Sequence, residues 1–230
     1  MESYTLITGA SSGIGYEMAK ILEERKHNLI LVARNFDRLQ GIRDDFEPKY
    51  GIKVKIFRKD LSMASNAEAL YLEIKKENVQ VDYLINNAGV GNYGEFTKTS
   101  LQEELNMIEL NISSLVVLTK LFSQDMVKKG SGSIMNVASL LSFLPFPYYS
   151  VYSATKAFVL AFSETVNAEL QGTGVMIKTL CPGPIDIAFT TPEMATTNAY
   201  KANKPVNPEF VAQEGIKLLF NTKSKKNRRL

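Results

Sequence analysis

The sequence predicts a doubly wound α/β fold, one parallel sheet of about six strands with helices on both faces. Three observations carry that reading. Short β-branched runs alternate with longer amphipathic ones along the chain. The short runs are apolar at successive positions, as strands covered on both faces are. A glycine-rich turn follows the first of them and opens a helical pattern.

In chain order, residues 4–8 (YTLIT) read as the first strand and about 13–26 as the first helix. The strand 28–33 (NLILVA) and the helix 36–47 follow, then the strand 53–57 (KVKIF) and the helix 63–78. The strand 82–86 (DYLIN) precedes one long helix over 101–129. The strands 132–137 (GSIMNV) and 174–180 (GVMIKTL) flank a helix at 152–171. A last helix over 208–220 has Asn207 as its N-cap and Pro208 at its first position, where a missing N–H costs nothing. Strand–helix–strand units of this kind close with right-handed crossovers. Residues from about 184 to 207, with Thr190, Thr191, Pro192, Thr196, Thr197 and Asn198, are irregular and read as a substrate lid. The expected organisation is one nucleotide-binding domain over 1–220 and a basic, disordered tail over 221–230.

Composition excludes several chemistries. The chain has one cysteine, Cys181, and one histidine, His27. An internal disulfide, a cysteine-rich zinc site and any mechanism needing two histidines are thereby ruled out, and no metal is expected. Basic residues number 27 against 24 acidic ones, a net +3, and five cations (Lys223, Lys225, Lys226, Arg228 and Arg229) lie in the last eight residues. Without them the body holds 22 against 24, or −2, so neither nucleic acid nor a membrane surface is an expected partner. The first strand pattern begins almost at once, where a signal peptide would need a basic region before an apolar one. With no uninterrupted apolar run of spanning length, a cytoplasmic protein is expected.

The glycine turn is Thr8-Gly9-Ala10-Ser11-Ser12-Gly13-Ile14-Gly15. Between a strand and a helix it gathers free backbone N–H groups and the positive helix end at one point, where phosphate binds without a charged side chain. The same residues match the G-x-S-x-G nucleophile elbow, but the only histidine, His27, lies just past the first helix with no acid in the required order. A dinucleotide site usually carries a carboxylate at the end of the second strand to bind a ribose 2′-OH. Here Arg34 and Asn35 stand there and no acid occurs before Asp37. A guanidinium pairs bidentately with phosphate, so the turn favours NADP(H) over NAD(H).

Tyr152 and Lys156 are four residues apart and share one helix face. A phenol of pKa about 10 needs a nearby cation to act at neutral pH, and Lys156 is placed to be one. Ser139 follows the strand 132–137, at the carboxyl edge where ligands of such sheets bind. Each of these features alone has a plain structural explanation, as a helix surface pair or a cap.

Together with Asp60-Leu61, Asn86-Asn87-Ala88-Gly89, Asn111 and Pro182-Gly183, these motifs stand in an order that resembles the short-chain dehydrogenase/reductase family, in its compact single-domain branch. The resemblance implies a Rossmann-like fold and an NADP-dependent oxidoreductase acting on an alcohol or carbonyl. It implies that Tyr152 donates the proton to a carbonyl oxygen and that Ser139 polarises that oxygen. Lys156 lowers the tyrosine pKa and holds the nicotinamide ribose, and Asn111 positions a water that relays protons to Lys156. Nucleotide contacts are implied for Gly9, Ser11, Ser12, Gly13, Ile14, Gly15, Arg34, Asn35, Asp60 and Leu61. Others are implied for Asn87, Ala88, Gly89, Asn111, Tyr152, Lys156, Pro182, Gly183 and Ile185. A homodimer or homotetramer is implied too, with the helix 152–171, apolar almost all round, against a partner subunit.

The sequence departs from the family pattern in places. Ile187 stands where relatives often have threonine, and Ser12 where many NADPH users have a basic residue. After 220 no seventh-strand pattern is visible, so that strand is expected to be absent. For the substrate, Leu140, Leu141, Tyr149, Tyr93, Phe189 and Met194 suggest an apolar wall without lysine or arginine, suited to an apolar ketone or aldehyde. A 3-oxoacyl-carrier reductase and a catalytically silent nucleotide-binding scaffold are the alternatives.

Overall fold

A computed structural model describes residues 2–185, 205–221 and 228–229. Six parallel strands lie in the order β3-β2-β1-β4-β5-β6. They are β1 (Ser3–Thr8), β2 (Asn28–Ala33), β3 (Val54–Arg58), β4 (Gln80–Asn86), β5 (Gly132–Val137) and β6 (Val175–Cys181). The order reverses between β1 and β4, and this is where such sheets open a crevice beyond their carboxyl ends.

The unbroken apolar strands are explained by their two covered faces. Ile7 pairs with Leu31 on one side and Ile85 on the other. That face packs under α1 (Gly13–Glu24), α2 (Phe36–Tyr50) and α7 (Pro208–Leu219), through Met18, Phe46 and Ile216. The alternate residues Leu6, Ile30, Leu84 and Ile134 face α3 (Ala64–Lys76) and α5 (Ser114–Lys129), through Leu70, Leu118 and Phe122.

Three elements differ from expectation. Helix α2 runs through Pro48 to Tyr50, because the proline falls in its last turn and Gly51, at φ +68°, donates to Glu47 O at 3.1 Å to close it. The long helix is α4 (Leu101–Ile108), a π-turn over Glu109–Ser113, and α5. Its apolar pattern continues through the break, so periodicity does not reveal it. The run Leu101–Lys129 is long and apolar enough to cross a membrane by composition, yet α5 packs on β4, β5 and α3. The expected absence of a seventh strand is corrected: among the described residues after α7, a two-residue β7, Arg228–Arg229, pairs parallel to Leu180 and Cys181 of β6.

Helix α6 (Ser150–Glu169) carries the Tyr–Lys pair. Helix α7 is capped as expected, with Asn207 Oδ1 accepting from Glu209 N at 2.8 Å. Its far end is held by Lys178 of β6, which donates to Leu219 O at 2.7 Å and Asn221 O at 2.6 Å. Val206 N donates to Pro184 O at 2.9 Å and Ile185 bridges to Val206, so the two ends of the expected lid meet. The lid itself, with Ile187, Phe189, Thr190, Thr191 and Met194, lies outside the described residues, as do most of the residues of the expected tail.

Candidate active site

A cleft of about 740 Å³ runs along the carboxyl ends of the strands. The glycine turn forms one end of it, and Ser139, Tyr152 and Lys156 the other.

The turn is built by close approach. Gly9 and Gly13 have φ of +67° and +55°, which favour glycine. A Cβ on Gly9 would come 2.8 Å from Asn87 Nδ2, and one on Gly15 would come 2.4 Å from Gly9 O. Thr8 Oγ1 accepts from the backbone N–H of Asn87 and of Ala88, both at 3.0 Å. Asn87 Nδ2 donates to Thr8 O at 3.0 Å and Gly9 O at 3.2 Å. Its side chain thus braces the turn. Ser12 caps α1 from extended backbone and its hydroxyl makes no capping bond, which leaves the first-turn N–H groups facing the cleft. That N-terminus, with the approach that the glycines permit, fits a dinucleotide pyrophosphate.

Arg34, exposed, stands at the cleft edge beyond β2 beside Asn35. Asn35 spends its side-chain oxygen as the N-cap of α2, accepting from Arg38 N at 3.0 Å. Arg38 lies over the Tyr16 ring at 5.0 Å and reaches Ser11 O at 3.4 Å, a second guanidinium near the turn that the motif reading did not single out. Asp60 accepts from Ser62 N at 3.0 Å and Ser62 Oγ at 2.7 Å. These bonds hold its carboxyl below the usual carboxylate range, and the charge of Arg34 adds to the effect.

At the other end three elements converge. Ser139 follows β5 and caps a 3-10 turn, Leu140–Ser142, its hydroxyl accepting from Leu141 N at 3.2 Å. Tyr152 and Lys156 come from α6, with the Lys156 ammonium 5.8 Å from the Tyr152 ring centre. Lys156 is buried and donates to Val137 O at 2.9 Å. Asn111 sits in the π-turn behind Gly89. Its Nδ2 donates to Val90 O at 2.9 Å and Thr155 Oγ1 at 3.1 Å, and its Oδ1 accepts from Val90 N at 3.0 Å. A Cβ on Gly89 would lie 3.1 Å from Asn111 Oδ1 and 3.3 Å from Lys156 Nζ, so glycine is what lets both groups flank one gap.

Burial dominates the electrostatics here. It pushes the Tyr152 phenol up to about 12, and the hydrogen bond from Ser139 draws it back only in part. It pulls Lys156 down to about 8. Lys156 donates to a backbone carbonyl, Val137 O, and desolvation weakens its hold on its proton.

A stability profile follows from the two buried lysines. Lys156 and Lys178 both sit at about 8 against an ordinary 10.5, because burial disfavours their charge. Between those values the unfolded chain binds protons that the folded one has shed. Stability then rises with pH, by at most ~1.4 kcal/mol per unit for each lysine. Above pH 10 the Tyr152 phenol, which keeps its proton to about 12 when folded, acts in the opposite sense. The urea midpoint is expected to climb from about pH 8 to 10, with a shallower slope in Lys178→Met. A flat profile in both proteins would contradict the assignment.

Most residues singled out by sequence meet in this cleft. Gly9, Ser11, Ser12, Gly13, Ile14, Arg34, Asn35, Asp60, Leu61, Asn87, Ala88 and Gly89 line it. So do Ser139, Leu140, Leu141, Tyr149, Tyr152, Lys156, Pro182, Gly183 and Ile185. Gly15, Asn111 and Tyr93 do not. Gly15 packs beneath the turn, Asn111 is buried behind it, and Tyr93 stacks on Tyr149 with ring centres 5.0 Å apart. The cleft also takes in Glu17, Lys59, Val90, Leu110, Pro184 and Pro208, which no motif marks. His27 packs between Tyr83 and Phe220, past the far end of α1 from Ser11, so the serine-hydrolase pattern has no base beside it.

The model of the short chain dehydrogenase family matches residues 3–198. A very-long-chain 3-oxoacyl-CoA reductase of Pyrenophora tritici-repentis is 36% identical over 180 residues, 76% of this chain and 53% of that protein. The 17-beta-hydroxysteroid dehydrogenase type 3 of Mus musculus is 34% identical over 195 residues, covering 83% and 62%. The chain therefore spans between about half and two thirds of the length of these curated relatives. Among solved structures, a short-chain dehydrogenase from Sphingobium yanoikuyae in complex with NADPH superposes with a TM-score of 0.87 at 27% identity, covering 100% of this chain and 87% of that one.

Proposed function

The chain belongs to the short-chain dehydrogenase family of oxidoreductases, and we propose that it uses NADP(H) to reduce an apolar ketone or aldehyde to an alcohol. The observation that carries this reading is the meeting of Ser139, Tyr152 and Lys156 in the cleft whose other end is the glycine turn. Bound along that cleft, NADPH supplies the hydride. The turn and the N-terminus of α1 would hold its pyrophosphate, and Pro182, Gly183 and Ile185, which line the cleft, would face its nicotinamide end.

Tyr152 is the proton donor. A phenol pushed up to about 12 is fully protonated at neutral pH and ready to give its proton to a carbonyl oxygen. Ser139 hydrogen-bonds and polarises that oxygen. Lys156 orients the ribose and, protonated below about pH 8, supplies positive charge as the phenolate forms. Asn111, across the Gly89 gap from Lys156, takes part in returning the proton through a water.

NADPH is preferred through Arg34, which would pair with a 2′-phosphate. Arg34→Ala is expected to weaken NADPH binding by about 10- to 100-fold, ~1.5–3 kcal/mol, and to leave NADH nearly unchanged. Parallel fluorescence titrations with the two nucleotides check it, and equal losses for both would remove Arg34 from that role.

The substrate end is walled by Leu140, Leu141, Leu144, Phe146 and Tyr149, with Tyr93 behind Tyr149. Among the described residues no cation beyond Lys156 stands in this wall, which favours an apolar carbonyl over a small keto acid. The names of the two curated relatives point the same way, to acyl and steroid compounds, and keep a 3-oxoacyl thioester as the second reading. NADPH consumption against apolar ketones, aldehydes, 3-oxoacyl thioesters and pyruvate tests the choice, and a preference for pyruvate would overturn it. The reading includes a cytoplasmic homodimer or homotetramer, supported by the half-exposed Phe158 stacked on Phe162 at 5.7 Å on α6.

A further inference from the structure

Two elements must be in register for Ser139 to reach Tyr152. Ser139 ends the segment that leaves β5, and Tyr152 and Lys156 ride on α6. One hydroxyl joins them. Ser142 Oγ accepts from the backbone N–H of Ser139 at 3.2 Å and donates to the backbone carbonyl of Lys156 at 2.8 Å. The turn is anchored on its other side by Leu140 N, which donates to Pro182 O at 2.8 Å. Ser142 is not among the residues lining the cleft.

The bonds leave Ser139 little freedom. Its backbone N–H is taken by Ser142, and a lone pair of its hydroxyl by Leu141 N at 3.2 Å. Its O–H is thereby left for the Tyr152 phenol, to which it hydrogen-bonds. An alanine at 142 removes the link to Lys156 and leaves the Ser139 N–H without its acceptor.

We propose that Ser142 is a positioning residue that holds Ser139 in register with α6, so that the Ser139 hydroxyl meets Tyr152. The proposal rests on the reading of Ser139 and Tyr152 given above. A methyl cannot replace this group, since the hydroxyl must accept on one side and donate on the other, and a thiol does both only weakly. Threonine can replace it.

The test compares Ser142→Ala and Ser142→Thr with Ser139→Ala and Tyr152→Phe, using NADPH and phenanthrenequinone, a flat apolar dicarbonyl, as the probe. Ser142→Ala is expected to lower kcat roughly 10- to 100-fold, as a small misplacement of a reacting group does, with the NADPH Kd unchanged. Ser142→Thr should restore kcat. A packing role alone would lower Tm and leave kcat at low temperature unchanged. Ser142→Ala with wild-type kcat, beside an inactive Ser139→Ala, overturns the proposal and leaves the site reading intact. Ser139→Ala and Tyr152→Phe that turn over like wild type overturn the site reading itself. A crystal structure of Ser142→Ala decides the matter even where the quinone is not reduced. The Ser139 hydroxyl should have left Tyr152, and a Ser139–Tyr152 bond kept as in wild type would overturn the proposal.

Discussion

Tyr152→Phe is expected to remain folded and to bind NADPH, while kcat for carbonyl reduction falls by roughly 10²- to 10⁴-fold, the usual worth of a positioned proton donor. The phenylalanine ring keeps the packing of the tyrosine, 6.2 Å from the Tyr149 ring and beneath Lys156. Only the hydroxyl is lost, with its proton and its bond to Ser139. Stability should change little, by about 1 kcal/mol, because the ring's packing is kept and one hydrogen bond to Ser139 is lost. Steady-state NADPH oxidation beside a thermal melt separates these effects. A variant retaining more than about a tenth of wild-type kcat would show that the proton comes from elsewhere.

Gly15→Ala is expected to damage both fold and nucleotide binding. The new methyl would stand 2.4 Å from Gly9 O and 2.5 Å from Asn87 Nδ2. Neither neighbour can retreat, since Asn87 Nδ2 already donates to Thr8 O and Gly9 O. Helix α1 must then move off the turn. Overpacking of this kind costs about 3 kcal/mol, or a fall of roughly 5–10 °C in Tm for a chain of this size. The same shift displaces the N–H groups that face the cleft, and NADPH affinity should drop by at least about tenfold, ~1.4 kcal/mol. Gly41→Ala in α2 is the control, because a Cβ there meets nothing within 4 Å. It should be neutral or stabilising by about 0.5–1 kcal/mol. Equal melts for the two variants would mean that the turn is looser than its contacts indicate.

The sheet was legible because burial on two faces leaves a strong mark. All six strands lie within two residues of the runs seen in sequence, from Ser3–Thr8 to Val175–Cys181. The glycine turn was legible for a similar reason, since its backbone angles and close approaches admit little but glycine. What sequence did not reveal depends on contacts between distant residues. The π-turn at Asn111 breaks a helix whose apolar period runs straight through it. Asn87 reads as a nucleotide contact, and the motif does not show that its side chain also braces Thr8 and Gly9. Ser142 and Thr155 look like ordinary polar residues until their partners on other elements are known. The spacing shows Lys156 beside Tyr152 and hides the desolvation that both groups meet.

The central claim is that this cleft couples hydride transfer to proton donation by Tyr152. Its most direct test uses NADPH deuterated at the transferable nicotinamide hydrogen, an apolar ketone panel, and mass spectrometry of the product. The expected result is one alcohol formed per NADPH consumed, with deuterium on the former carbonyl carbon in wild type and turnover at least about 10²-fold slower in Tyr152→Phe. Tight NADPH binding with no labelled alcohol from any carbonyl in the panel would contradict the claim and favour a nucleotide-binding scaffold.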